Sequence, residues 1–218
     1  MGCFPDFPSR NFPPTIDSFS PESGSTVNHQ ENVLFSVTIT DKDSLLGDIN
    51  IRIESDIDGL FLEGEPDDNG VFRQSYAELQ YGEHLLTISA RDEFGNAVSE
   101  SSSLLINALP TTSIILIRPE KPTTTDDLEV LVPQTNDEDG DVITLDYIWY
   151  KNGELQENQT SSTVPSTDTQ KDDIWSVDVI PNDGIAQGSP QSAATLIQNT
   201  PPIVENVSIT PQEDITLG

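Results

Sequence analysis

Asp137, Asp139 and Asp141 alternate within five residues, flanked by Asn136 and Glu138. Three carboxylates so close repel one another unless a cation sits among them. Hard oxygen donors select Ca²⁺, which takes six to eight oxygens at about 2.3–2.6 Å. Asp183, in the turn Asn182-Asp183-Gly184, completes the shell if that turn lies beside the acidic loop at one end of a domain. An EF-hand is ruled out: Gly140 comes too early, and Ile148 stands where that loop needs its final Glu. A site of this extracellular kind binds weakly, on the order of 10⁻⁴–10⁻³ M. The same acids also suit a plain solvated turn. A sparser group, Asp41, Asp43 and Asp92, offers a second version of the site, with Lys42 intruding.

Other side chains carry other chemistry. Gly2-Cys3 resembles the end of a lipobox, in which the cysteine becomes a lipidated N-terminus, and the proline-rich segment behind it suits a tether. Met1-Gly2-Cys3 also resembles a dual-acylation start, although Asp6 stands where that motif wants Ser or Thr. A free thiol is the remaining reading of Cys3. Asn158-Gln159-Thr160 and Asn206-Val207-Ser208 match the N-glycosylation acceptor pattern, a triplet that chance also produces. His29 and His84 are the only histidines, and neither has a second metal ligand in register, so both read as structural. No Ser/His/Asp order, zinc spacing or glycine-rich phosphate loop supports catalysis. A glycosidase needs two carboxylates across a cleft, which a thin domain rarely offers.

Composition narrows the partners. Nine basic and 38 acidic side chains give a formal net charge of −29. Nucleic acid needs clustered Lys and Arg, so it is excluded as a partner. An anionic membrane is disfavoured for the same reason, which leaves a lipid on Cys3 as the route to a membrane. Cys3 is the single cysteine, so no internal disulfide forms and each core must close by packing. No stretch approaches the ~20 apolar residues of a membrane helix.

The elements that must position these groups are strands. Val33, Phe35, Val37 and Ile39 alternate with polar neighbours, as do Ile49, Ile51 and Ile53, then Leu86, Ile88 and Ala90. Side chains in a strand repeat with period two, so each set forms one face. Leu128, Val130 and Val132 repeat the pattern, then Tyr147 and Trp149, then Trp175, Val177 and Val179. Asn152-Gly153 predicts a type I′ hairpin turn after Trp149. A tryptophan in mid-strand is the usual pin between the sheets of an immunoglobulin-like sandwich. Pro13-Pro14-Thr15-Ile16, Leu109-Pro110-Thr111-Thr112 and Pro201-Pro202-Ile203-Val204 restart one pattern at intervals of about 90 residues, the length of one sandwich. Asn107 and Asn199 precede the second and third starts. The expected organisation is all-β: a tether over 1–12, Ig-like domains over 13–108 and 109–199, and the first strand of a further repeat over 200–218.

The run Asp-Gly-Asp, Tyr-x-Trp-Tyr-Lys-Asn-Gly, Trp-x-Val-x-Val-x-Pro-Asn-Asp-Gly and Asn-Thr-Pro-Pro resembles the tandem Ig-like repeats of bacterial and archaeal surface proteins. These are related in plan to polycystic-kidney-disease-type and cadherin-like modules. The resemblance implies a non-enzymatic cell-surface protein whose repeats serve adhesion, interaction or spacing, with other surface proteins, glycans or copies of itself as partners. Two alternatives stay open. One is a subunit of an extracellular filament assembled by β-strand addition; the other is a spacer or carbohydrate-binding region of a larger secreted hydrolase.

Overall fold

The computed structural model describes residues 11–204 and 206–208; Cys3 and most of the tether lie outside them. Packing divides the chain into two units. The first runs from the start of the described chain to Thr111 and includes two later loops, Thr135–Thr144 and Pro181–Ser189. The second comprises Thr112–Gln134, Leu145–Ile180 and the residues from Pro190 onward.

The first unit is built from β1 (Thr15–Ser20), β2 (Ser25–Asn28), β3 (Val33–Thr40), β4 (Asn50–Ser55), β5 (Gly59–Gly64), β6 (Val71–Tyr76), β7 (Gly82–Arg91) and β8 (Ala97–Asn107). They form two sheets, β1-β3-β6 and β2-β8-β7-β4-β5. All pairings are antiparallel except β2 with β8. The predicted alternation is the observed one. Phe35, Val37 and Ile39 of β3 face Ile51 and Ile53 of β4 and Leu86, Ile88 and Ala90 of β7 in one fully buried core. Phe19, Phe35, Phe61 and Tyr76 form a chain of ring contacts, with centroids 6.3, 5.2 and 5.2 Å apart. The turn before β6 is fixed by Asp67, whose Oδ1 accepts the N–H groups of Asn69 and Val71. Gly70 closes it at φ +80°, where a Cβ would lie 2.3 Å from the Ile39 carbonyl oxygen.

The following strands are β9 (Thr111–Thr112), β10 (Leu116–Arg118), β11 (Leu128–Leu131), β12 (Thr135–Asn136), β13 (Thr144–Lys151), β14 (Glu154–Leu155), β15 (Thr163–Val164), β16 (Ile174–Asn182) and β17 (Gln191–Leu196). The second unit stacks the sheet β10-β11-β15 on the sheet β14-β13-β16-β17. This is the strand plan of the first unit again, with β10, β11, β13, β15, β16 and β17 in the places of β1, β3, β4, β6, β7 and β8. Residues 201–204 and 206–208, expected to open a third repeat, run outside any strand.

Trp149 and Trp175 are buried in the second core with their rings edge-to-face, centroids 6.0 Å apart. Such a pair contributes ~0.5–1.5 kcal/mol beyond its area. The Trp149 indole N–H donates to the Ser161 carbonyl at 2.9 Å, so its polar edge is satisfied inside the core. Asn152 and Gly153 take φ of 53° and 83°, as a type I′ turn requires, and pair Tyr150 with Leu155 and Lys151 with Glu154.

That hairpin is tied down by Asp173. Its Oδ2 lies 2.9 Å from the Lys151 ammonium and accepts the Gln170 N–H at 2.6 Å, while Oδ1 accepts the Asn152 amide at 3.1 Å. Burial pushes the Asp173 carboxyl up, but the Lys151 ammonium and these donors outweigh it and hold the group below its ordinary 3.8. Its stabilisation is therefore complete above that ordinary value and is lost as pH falls through the lower folded value. Asp173→Asn is expected to cost about 1–3 kcal/mol at neutral pH. It should also flatten part of the acid-side loss of stability below about pH 4. Urea titrations of both proteins across that range check both effects.

Candidate functional site

The acidic loop following β12 and the turn following β16 both belong to the first unit, beside the end of β8. Hydrogen bonds from the residues at the end of β8 explain why. The Ala108 N–H donates to Asp139 Oδ2 at 2.8 Å, and the Asn107 side-chain amide donates to Asp183 Oδ2 at 3.0 Å. Two adjacent residues at the end of one strand thus gather carboxylates from two distant loops. Asp137 Oδ1 accepts the Asp139 N–H at 3.2 Å, which bends the loop back on itself. Glu138, between them, accepts the Tyr81 hydroxyl at 3.0 Å. That negative neighbour is the first cause that pushes the Tyr81 hydroxyl up.

The charge in this cluster is unevenly served. Asp183 is buried, yet held below the usual aspartate value. Burial raises it, and the N–H groups of Ala186 and Ile185 and the Asn107 amide more than compensate. Asp137 is the opposite case. Burial, then hydrogen bonding and repulsion with Asp139, push it up to about 6. Asp137 Oδ2, Asp139 Oδ1 and Asn107 Oδ1 are all shut from solvent and accept no hydrogen bond. A buried acceptor left unserved costs ~1–3 kcal/mol, so three together are an unusual load on one cluster. Asp141 differs: it is exposed, at the outer end of the loop.

The second acidic group is organised otherwise. Asp92 is buried, and both its oxygens serve its own turn: Oδ1 accepts the Phe94 and Asn96 N–H groups, Oδ2 the Asn96 amide. Asp41 Oδ1 accepts the N–H groups of Asp43 and Ser44. Asp43 accepts the Phe12 N–H. One carboxylate oxygen, Asp41 Oδ2, is buried without a donor here, against two in the first cluster. Glu93 is pushed up by burial and by the nearby charges of Asp48, Asp92 and Asp41.

Both histidines take structural positions. His84 is fully buried; its Nε2 donates to the Gln80 carbonyl and its Nδ1 meets the Ser55 hydroxyl, each at 2.7 Å. Asp58 lies 3.7 Å from that same Nδ1. Serine and aspartate thus share one ring nitrogen, and the Ser55 oxygen also accepts the Ile57 and Asp58 N–H groups. A proton relay needs them on opposite nitrogens, so this grouping is not a hydrolytic triad. His29 packs edge-on against Tyr81. Asn158 and Asn206 are exposed, and Asn158 lines an open polar depression of about 540 Å³ with Lys151, Gln156, Glu157 and Gln159.

Of the residues predicted from sequence, Asp139 and Asp183 meet the adjacent residues Ala108 and Asn107, and Asp137 accompanies Asp139; Asn107 was not among the predicted residues. The available signal was its recurrence before the repeat starts, which marks the strand end that receives the next repeat's loops.

No protein-family profile matches the chain, and no curated protein matches it. Solved structures do. The N-terminal eight Ig domains of the Down Syndrome Cell Adhesion Molecule align at TM-score 0.53 and 12% identity, over 83% of this chain and 27% of that one. Murine CEACAM1b aligns at TM-score 0.38 and 10% identity, over 86% of this chain and 100% of that one. Bacteroides ovatus SGBP-B of the mixed-linkage glucan utilization locus, in complex with a heptasaccharide, aligns at TM-score 0.34 and 13% identity, over 88% and 72%. The fold is Ig-like, on the strength of the first. The chain spans about a quarter of that adhesion-molecule fragment.

Asp183→Ala removes the acceptor of three donors at once and is expected to destabilise the first unit by about 1–3 kcal/mol. Chemical denaturation in the presence of chelator checks this, so that no cation contributes to the difference.

Proposed function

We propose that the chain is a non-enzymatic extracellular segment whose Ig-like sandwiches act as interaction or spacing modules at a cell surface. The observation that carries the reading is the repetition: one two-sheet plan, used twice, with His84 buried in hydrogen bonds and Asp92 and Asp183 closing turns. Strings of such sandwiches occur in the structurally similar adhesion molecule, which supports the reading. Other surface proteins, glycans or copies of the chain are the partners that fit. Cys3 is the proposed anchor. Among the described residues no helix is long and apolar enough to cross a membrane.

A second reading is the filament subunit. Ile203, Val204 and Val207 are 83, 74 and 78% exposed and outside any strand, as a segment donated to a neighbour's sheet would be.

Treating intact source cells with an external protease tests the first reading. The chain should be degraded while cytoplasmic markers survive, and mass spectrometry should find acyl chains on Cys3. Protection of the chain in intact cells, with digestion only after lysis, would overturn the surface placement. Light scattering of the chain with and without residues 201–218 tests the second. Concentration-dependent assembly lost on truncation is the expected result, and an unchanged monomer would remove it.

A further inference from the structure

We propose that Asn107, Asp137 and Asp139 together bind a calcium ion through one carboxamide and two carboxylate oxygens. This goes beyond the surface role and does not rest on it. Every other polar atom of the three side chains is assigned: Asp137 Oδ1 to the Asp139 N–H, Asp139 Oδ2 to the Ala108 N–H, and Asn107 Nδ2 to Asp183 Oδ2 and the Ala108 carbonyl. What remains is one bare oxygen each, all buried, with Asn107 itself 0% exposed. Hydrogen bonds have thus fixed three side chains in one cluster and left each an acceptor without a donor.

The possible fillers differ in how many oxygens they serve. A proton shared by Asp137 and Asp139 serves that pair and leaves Asn107 bare. A buried water donates two hydrogen bonds and leaves one acceptor over. No ion pair among the described residues brings Lys, Arg or His to these carboxylates. One cation serves all three oxygens and relieves the repulsion between Asp137 and Asp139.

Among the described residues no three His, Cys, Asp or Glu side chains form a metal set by themselves. The proposed set is therefore mixed, two anionic oxygens and one neutral, with water and backbone carbonyls filling the rest of the shell. That chemistry fits Ca²⁺, whose coordination is large and flexible, and not Mg²⁺, which demands a near-ideal octahedron and gives up water reluctantly. With two carboxylates the affinity belongs in the range of about 10⁻⁴–10⁻³ M. Asp183 is a positioning residue here, since both its oxygens are engaged by N–H donors.

A chain of net charge −29 is stabilised by any divalent cation through screening, so the experiment compares calcium with magnesium at equal concentration. Thermal melting of the whole chain is followed in EDTA, in excess Mg²⁺ and in excess Ca²⁺. Calcium should raise Tm by several degrees beyond magnesium. Asp137→Asn and Asp139→Asn should each abolish that increment while melting above the wild type in EDTA, because like-charge repulsion is gone. Asp141→Asn should keep the increment. Terbium luminescence sensitised through Tyr81, whose hydroxyl bonds Glu138, should appear, be displaced by calcium, and be lost in Asp139→Asn. Equal Tm in calcium and magnesium, an increment that survives both loop variants, or terbium emission indifferent to Asp139 would each overturn the proposal. None of these outcomes bears on whether the chain lies outside the cell.

Discussion

Everything in this protein rests on two-sheet sandwiches that close with no covalent crosslink. Period-two strands place one face of each sheet inward, and the interior is dry only if those faces fit. The first unit meets the demand with branched aliphatics and a chain of aromatic rings running from Phe19 to Tyr76. The second meets it with an edge-to-face tryptophan pair. One strand plan thus accepts two different cores, because a sheet needs only volume and alternation at its inner face.

The acidity of the chain is tied to the same architecture. A sandwich has as many turns as hairpins, and each turn exposes N–H groups that no strand pairs. Aspartate accepts such donors locally, at Asp41, Asp67, Asp92 and Asp183 for their own turns, and at Asp126 for Thr123. Hydrogen bonds to the charged form hold Asp67, Asp92, Asp126 and Asp183 low, so these groups stay ionised wherever the protein is folded near neutrality. At these positions the negative charge is structural before it is electrostatic.

Strands and inner faces were legible because alternation is a local property: Val33 to Ile39 and Trp175 to Val179 lie in the core as their spacing predicts. The Asn152-Gly153 turn was legible because few residues take positive φ at both positions. The cluster around Asn107 was legible only in part. Asp137, Asp139 and Asp183 could be grouped by their loops, but the adjacent residues that gather them, Asn107 and Ala108, sit far earlier, Ala108 31 positions before Asp139. Their role comes from a side-chain amide and a neighbouring N–H, which no pattern of hydrophobicity encodes. Asp92 is the reverse case. Its loop position, comparable to those of Asp41 and Asp43, suggested a ligand group; in the structure its oxygens close a turn, and sequence does not distinguish an aspartate bound within its own turn from one left bare.

That distinction decides what the charge means. Asp183 and Asp92 are buried and have no unmet need, since backbone N–H groups serve one oxygen of each and a side-chain amide the other. Asp141 is exposed, where solvent can meet its carboxylate. Where burial and the absence of a donor coincide, a carboxylate calls for something from outside the chain; Asp41 meets both conditions with one oxygen, and Asp137 and Asp139 meet them together beside an equally bare amide. Counting acids would rank the loops of this protein alike; following each oxygen to its donor separates turn-building from a demand for cation.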